Sequence, residues 1–307
     1  MQHGFWGRYS FISVAVDFDE HTAALVRVGE ALCRRSGKKL CLLHAVDPGQ
    51  HELDALSRLA EVEALVGGGV QILKEVVQGR PREVLASAAH SVGSCLLLLG
   101  LSYDRARHVP SSFSTALSLV SDSPVPIMVL DGSTRQAELP MDKLHVLLAD
   151  DLAEKTEATV AFAFDLAGSG ADTERRDTVT HLHVSGLTRE VIGAALSAAA
   201  GARHGLVDPD SLSADVHACT VEAFRSRLEK RAEPYLEYFE EAGGTYRARL
   251  AEGVVDDEIL QAVRELEPDV LLFARHHPYH TKPFHVGRVP YRAMLAAQKP
   301  VIVVPDA

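Results

Sequence analysis

Four cations fall in one short stretch near the end of the chain: Arg275, Lys282, Arg288 and Arg292. Guanidinium and ammonium groups brought together can hold a phosphate through charge-assisted hydrogen bonds. The plain alternative is a packed loop with solvated side chains. The same stretch carries His276, His277, His280 and His285, and His181 and His183 end an apolar run upstream. Imidazoles can ligate Zn²⁺ or Ni²⁺, but this spacing matches no standard finger, and no metal site is assigned. Two further apolar runs end on carboxylates, Asp17 and Asp150. An Asp in that position caps a following helix well. Covalent chemistry finds little support. The chain has no G-x-S-x-G elbow, and no phosphate-binding G-x-x-x-x-G-K or dinucleotide G-x-G-x-x-G follows a strand-like run. The neighbours Asp150 and Asp151 point apart on an extended segment, which weakens them as a Mg²⁺ pair. Catalysis is therefore not the expected role.

The elements that must position these groups occur twice. In the first half, short apolar runs at Phe11–Asp17, Leu40–Val46, Val70–Gly79, Cys95–Gly100 and Val125–Leu130 alternate with helical patterns at Glu20–Ser36 and Pro81–His90. Continuous apolar runs of this length fit strands buried on both faces of a parallel sheet, and the alternation implies right-handed βαβ units. The second half repeats them at Leu144–Asp150, Lys155–Ala167, Thr180–Val184, Tyr246–Gly253, Val270–Ala274 and Val301–Pro305. Asp17 is matched with Asp150 and His44 with His183. Gly79 with Gly253, Gly100 with Ala274 and Pro126 with Pro300 share one larger, constant offset. The difference implies an insertion at about 187–215, with an extra helix near Gly193–Ala202 and a long helix over Val216–Ala242. The expected organisation is an α/β, doubly wound protein of two tandem five-stranded parallel units: residues 1–132, a linker at 133–142, and residues 143–307.

Composition narrows the function. The 307 residues suit two domains, and a formal net charge of −11 argues against a nucleic-acid partner. Cys33, Cys41, Cys95 and Cys219 form no CxxC pair and read as thiols of a reducing compartment. The first residues lack a signal-peptide pattern, and no apolar stretch approaches the length of about 18 residues that suggests a membrane span. The expectation is a soluble, cytoplasmic protein with no membrane partner.

In an open parallel sheet, ligands bind beyond the carboxyl ends of the strands, where strand order reverses. This selects Asp17, Ala45, Gly100, Ser114 and Thr115 in the first half. In the second half it selects Asp150, Val184, Ala274, Arg275, His277, Gly287, Arg288 and Val289.

With those residues in view, the chain resembles the universal stress protein family in both halves. The resemblance rests on the order strand-Asp, helix, strand with His, then a fourth strand running into a loop of pattern G-x2-G-x9-G-[ST], and a last strand opened by proline. It implies an adenine nucleotide, ATP or AMP with Mg²⁺, held by loop glycines and a helix N-terminus, with the strand-end acid near the adenosine. The loop departs from the pattern in both halves. Tyr103 and Phe113 stand for the second and third glycines of the first half, where Ser114 and Thr115 remain. Ala274, His277 and Arg288 replace motif residues of the second, which keeps Gly287. A side chain at Phe113 obstructs backbone approach, so the first half reads as the degenerate site and the second, with its cations, as the ligand site. The family also implies pairing through the fifth strands, which fusion makes intramolecular, with a further homodimer left open.

The expected function is a stress-response binding or regulatory protein with a degenerate adenine-nucleotide site in the second unit. A scaffold that binds a partner and no nucleotide is the first alternative. An enzyme acting on another small molecule in the same cleft is the second.

Overall fold

The computed structural model describes residues 6–49, 51–101, 103–104, 109–110, 115–131, 138–168, 176–200, 209–275 and 287–305. The first unit runs β1 (Phe11–Ala15), α1 (Thr22–Ser36), β2 (Lys39–Val46), α2 (Glu52–Glu63), β3 (Ile72–Gln78), α3 (Pro81–Ser91), β4 (Ser94–Gly100), the two-residue strands β5 (Tyr103–Asp104) and β6 (Val109–Pro110), α4 (Thr115–Asp122) and β7 (Ile127–Leu130). The second runs β8 (His145–Ala149), α5 (Glu157–Gly168), β9 (Thr178–Ser185), α6 (Arg189–Ala200), α7 (Pro209–Glu241), β10 (Thr245–Glu252), α8 (Val255–Leu266), β11 (Val270–Ala274), α9 (Arg288–Ala296) and β12 (Val301–Val304).

Ten of the strands form one sheet in the order β10-β9-β8-β11-β12-β7-β4-β1-β2-β3. Within each unit every pairing of this sheet is parallel, and β5 and β6 pair apart from it, antiparallel. The units join where β12 meets β7 antiparallel, with Val301 opposite Val129, Ile302 opposite Met128 and Val303 opposite Ile127. These two strands are short and fully buried. Each would otherwise be an apolar sheet edge open to pairing with other chains.

A sheet covered on both faces needs strands that are apolar on both sides. β4 shows this directly. Its Leu96 and Leu98 enter one core with α1, α2, α5 and α7, while Leu97 and Leu99 enter the other with α3, α4, α8 and α9. Both cores run across the two units. On the first face, α5 buries Phe162, Phe164 and Leu166 completely, because the sheet, α7 and the N-terminal segment all press on it. Trp6 packs on Phe162 at 5.5 Å and its amide donates to Asp165 at 3.0 Å.

The segment between β9 and β10 holds two helices where the segment between β2 and β3 holds α2 alone. The long helix, expected from Val216, starts earlier, at Pro209, and ends at Glu241. Its last turns place Ala232 and Phe239 in the core, against the sheet. Among the described residues, no helix is long and apolar enough to cross a membrane.

Candidate functional site

In each unit the strand order reverses between the first and fourth strands, β8/β11 and β1/β4. A cleft opens at the carboxyl end of each pair. The second-unit cleft has a volume of about 220 Å³. Its floor is apolar: Ala149, Leu182, Val184, Phe273 and Ala274 from the strand ends, and Val255 and Ile259 from α8. Asp150, Asp151 and the opening turn of α9, Gly287 to Pro290, form its rim. The first-unit cleft is smaller, about 90 Å³, and is lined by Asp17, Ala45, Gly100 and Thr115 together with His44 and Asp19. Gly100 has no room for a side chain there, since a β-carbon would stand 2.9 Å from that of His21.

The structure thus brings together Asp150, Val184, Ala274, Gly287, Arg288 and Val289 around one cleft, and Asp17, Ala45, Gly100 and Thr115 around the other. His277 and Ser114 lie outside the described residues, as do His276, His280, His285 and Lys282. Arg275 is placed elsewhere. Its backbone closes the sheet on Val304, and its guanidinium crosses to the first unit, donating to the Ser123 carbonyl at 2.7 Å in a buried position. Packing between the units turns this cation away from the cleft.

The match of Asp17 with Asp150 is off by one residue. The amides of Val16 and Asp150 donate to Leu43 and Leu182, at the same point of the second strand in each unit. His44 Nδ1 donates to the Val16 carbonyl at 2.6 Å, and His183 Nδ1 to the Asp150 carbonyl at 2.8 Å. Phe18 and Leu152 then both take positive φ, 54° and 63°. Asp150 therefore occupies the place of Val16, and the counterpart of Asp17 is Asp151. Both Asp17 and Asp151 are exposed on their rims, whereas the Asp150 side chain is 1% exposed.

The Asp150 carboxylate faces inward and is satisfied by the protein. Its Oδ1 accepts from the Leu152 amide at 2.8 Å, its Oδ2 from His181 Nε2 at 2.9 Å, and Arg231 Nη1 reaches both oxygens at 3.1 and 2.9 Å. Burial pushes this acid up, but the hydrogen bond from His181, the Leu152 amide and the charge of Arg231 outweigh it and hold the pKa at about 2. Burial in turn lowers the pKa of His181, so the imidazole is neutral at pH 7. Its Nε2 proton goes to Asp150, and Nδ1 accepts from the Tyr246 hydroxyl at 3.2 Å. The two strand-end histidines are thus hydrogen-bonding groups of a buried network. Among the described residues, no three His, Cys, Asp or Glu side chains are placed to hold a metal ion.

Arg288 lies at the cleft rim with its side chain 75% exposed. Its Nε stands 3.2 Å from Asp256, and Arg292 spans Asp256 and Asp257 at 3.3 and 2.8 Å. The carboxylates of the α8 N-terminus therefore hold the cations of α9. Sequence reading missed Asp256 as their partner, and it missed Arg227 and Arg231. A signal for the latter existed in the helical spacing of Phe224, Arg227 and Arg231, but nothing in the sequence says which loop that face meets.

The universal stress protein family model matches residues 144–305, more than half of the chain. The chain belongs to the universal stress protein family. The fold is shared over nearly its full length by a universal stress protein of Archaeoglobus fulgidus, with a TM-score of 0.62, 14% identity, and 97% of this chain and 98% of that one covered. It is shared also by a functionally unknown protein of Pseudomonas aeruginosa, with a TM-score of 0.58, 13% identity, and 97% and 93% covered. No curated protein matches the chain significantly in sequence. The ten-stranded sheet is two universal stress units in tandem, so the first unit shares the architecture even though the family model spans only the second.

Proposed function

We propose that this protein is a nucleotide-responsive binding protein whose ligand site is the second-unit cleft, and that the first unit serves mainly as its structural partner. The difference between the two clefts carries the reading. The second offers about 220 Å³ over an apolar floor, and the first about 90 Å³. A flat, weakly polar body such as adenine suits the floor formed by Val184, Phe273 and Ala274, where burial of apolar surface supplies the affinity. Asp151, on the rim in the place of Asp17, is the acid that accepts from base or ribose, because Asp150 is consumed by its own network. Phosphate lies towards α9, where Gly287, the backbone of Arg288 and Val289 and the Arg288 side chain face the cleft.

Thermal-shift titration with ATP and AMP, with and without Mg²⁺, tests this reading. A ligand that binds only the native state raises the melting temperature with concentration. The expected result is a saturating rise in the micromolar to millimolar range. No shift at millimolar nucleotide would leave a scaffold role as the better account.

A further inference from the structure

We infer that the long helix α7 is the coupling element of the second unit, with Arg231 and Arg227 making the rim of the cleft and the α6–α7 helix pair one cooperative structure. The inference rests on the second-unit cleft being the ligand site. The part in question is the segment after β8, residues 150–156, whose first two residues, Asp150 and Asp151, line the cleft. Arg231 donates through Nη1 to both oxygens of Asp150 and to Thr156 Oγ1, and through Nη2 to the Ala153 carbonyl. One turn earlier, Arg227 donates to the Leu152 carbonyl at 2.8 Å. A further turn back, Phe224 packs on His183 at 4.6 Å, and that ring holds the Asp150 carbonyl. The three residues recur at helical spacing and so share one face of α7.

The corresponding loop of the first unit closes on itself. Asp19 Oδ1 accepts from the amides of His21 and Thr22 at 2.9 and 3.2 Å. The neighbouring helix α2 contributes a cation–π contact, the Arg58 guanidinium 3.8 Å above the Phe18 ring. In the second unit, Ala153 stands in the place of Asp19; the loop bonds its own amides through Asp150 and Asp151, at 2.8 Å from Leu152 and 2.9 Å from Ala153, and the α7 arginines add donors to its carbonyls and to Asp150. A loop that draws part of its hydrogen bonds from a helix distant in sequence loses that part of its ordering when the helix moves or frays. Linkage then requires the converse: whatever orders the loop also orders the helix. The same helix packs its first turns on α6, where Ser213 donates to the Arg189 carbonyl at 3.2 Å. The coupling path therefore runs from the cleft rim through Asp150 and Arg231 to the inserted hairpin.

Hydrogen exchange read by mass spectrometry on the full chain tests this, with ATP as the probe. In the absence of nucleotide, Arg231→Met is expected to speed exchange across 150–156 at least about tenfold, the scale of losing a charge-assisted hydrogen bond. Exchange in β4 and the urea midpoint serve as controls for global loss of stability. Arg231→Lys, which keeps the charge and some donors, is expected to fall between. Unchanged exchange over 150–156 in Arg231→Met overturns the inference, whether or not nucleotide binds. With ATP present, the wild type is expected to gain protection both around the cleft and in α7 residues 212–225. Arg231→Met is expected to keep the first and lose the second. Protection of α7 that survives in Arg231→Met, or cleft protection without any in α7 of the wild type, also overturns it. Absence of ATP protection everywhere counts against the nucleotide reading alone, and the comparison without nucleotide still decides whether Arg231 couples α7 to residues 150–156.

Discussion

Arg35 of the first unit and Asp177 of the second form an ion pair at 2.6 Å, with side chains 0% and 4% exposed. Arg35 also donates to the carbonyls of Pro140, Met141 and Ala167, and Asp177 accepts from the Leu144 amide. The pair ties α1 to the segments that enter β8 and β9. Removing one member of a buried pair strands the other without solvent, at a cost of about 3–5 kcal/mol. Arg35→Ala is expected to lose stability of that order in urea denaturation, with the second unit most affected. A loss below about 1 kcal/mol would show the pair to be dispensable.

Asp150 predicts a pH dependence. Its folded pKa of about 2 lies below the ordinary value of 3.8, so the unfolded chain binds the proton first as pH falls. The stabilisation is complete above about pH 4 and is lost as pH drops towards 2. The shift corresponds to about 2 kcal/mol. The gap in stability between wild type and Asp150→Asn should be widest at neutral pH and narrow below pH 4. A gap that stays constant from pH 7 to 2.5 would contradict it.

Asp256 competes with any anion for Arg288 and Arg292. Asp256→Asn removes the competing charge while keeping the shape. The expected outcome is ATP binding about threefold tighter, in line with the modest strength of ion pairs whose arginines reach solvent. Calorimetric titration at low salt measures it. Weaker binding in this variant would place the phosphates away from α9.

Val184 and Ala45 occupy equivalent positions at the ends of β9 and β2, each lining its own cleft. Val184→Trp fills the larger cleft and is expected to abolish nucleotide-dependent thermal stabilisation. Ala45→Trp is expected to leave it intact. The reverse pattern would move the site to the first unit.

Much of the fold was legible because parallel, doubly covered strands write themselves as unbroken apolar runs. Cys95–Leu99 and Val270–Ala274 admit few other readings, and the paired glycines and prolines set the frame of the later strands. The candidate site was less legible. At Asp150-Asp151 the local pattern cannot say which acid turns outward, since a one-residue slip exchanges the two faces. The decision came from β9, whose Leu182 and His183 bond the backbone of Asp150.

The amino-acid sequence by itself determined two α/β units, the run of strands and helices within each, and the ends of the strands as the place to look for a ligand. These follow from local periodicity and from turn and cap chemistry, which act over a few residues. Only the tertiary structure decided that Asp150 is buried and Asp151 presented, that Arg275 serves the joint between the units, and that Arg231 holds the segment after β8 from the long helix α7. Each depends on which distant groups a side chain meets. A charge that finds buried partners becomes part of the framework, while an equal charge one residue away, on Asp151, stays exposed on the rim.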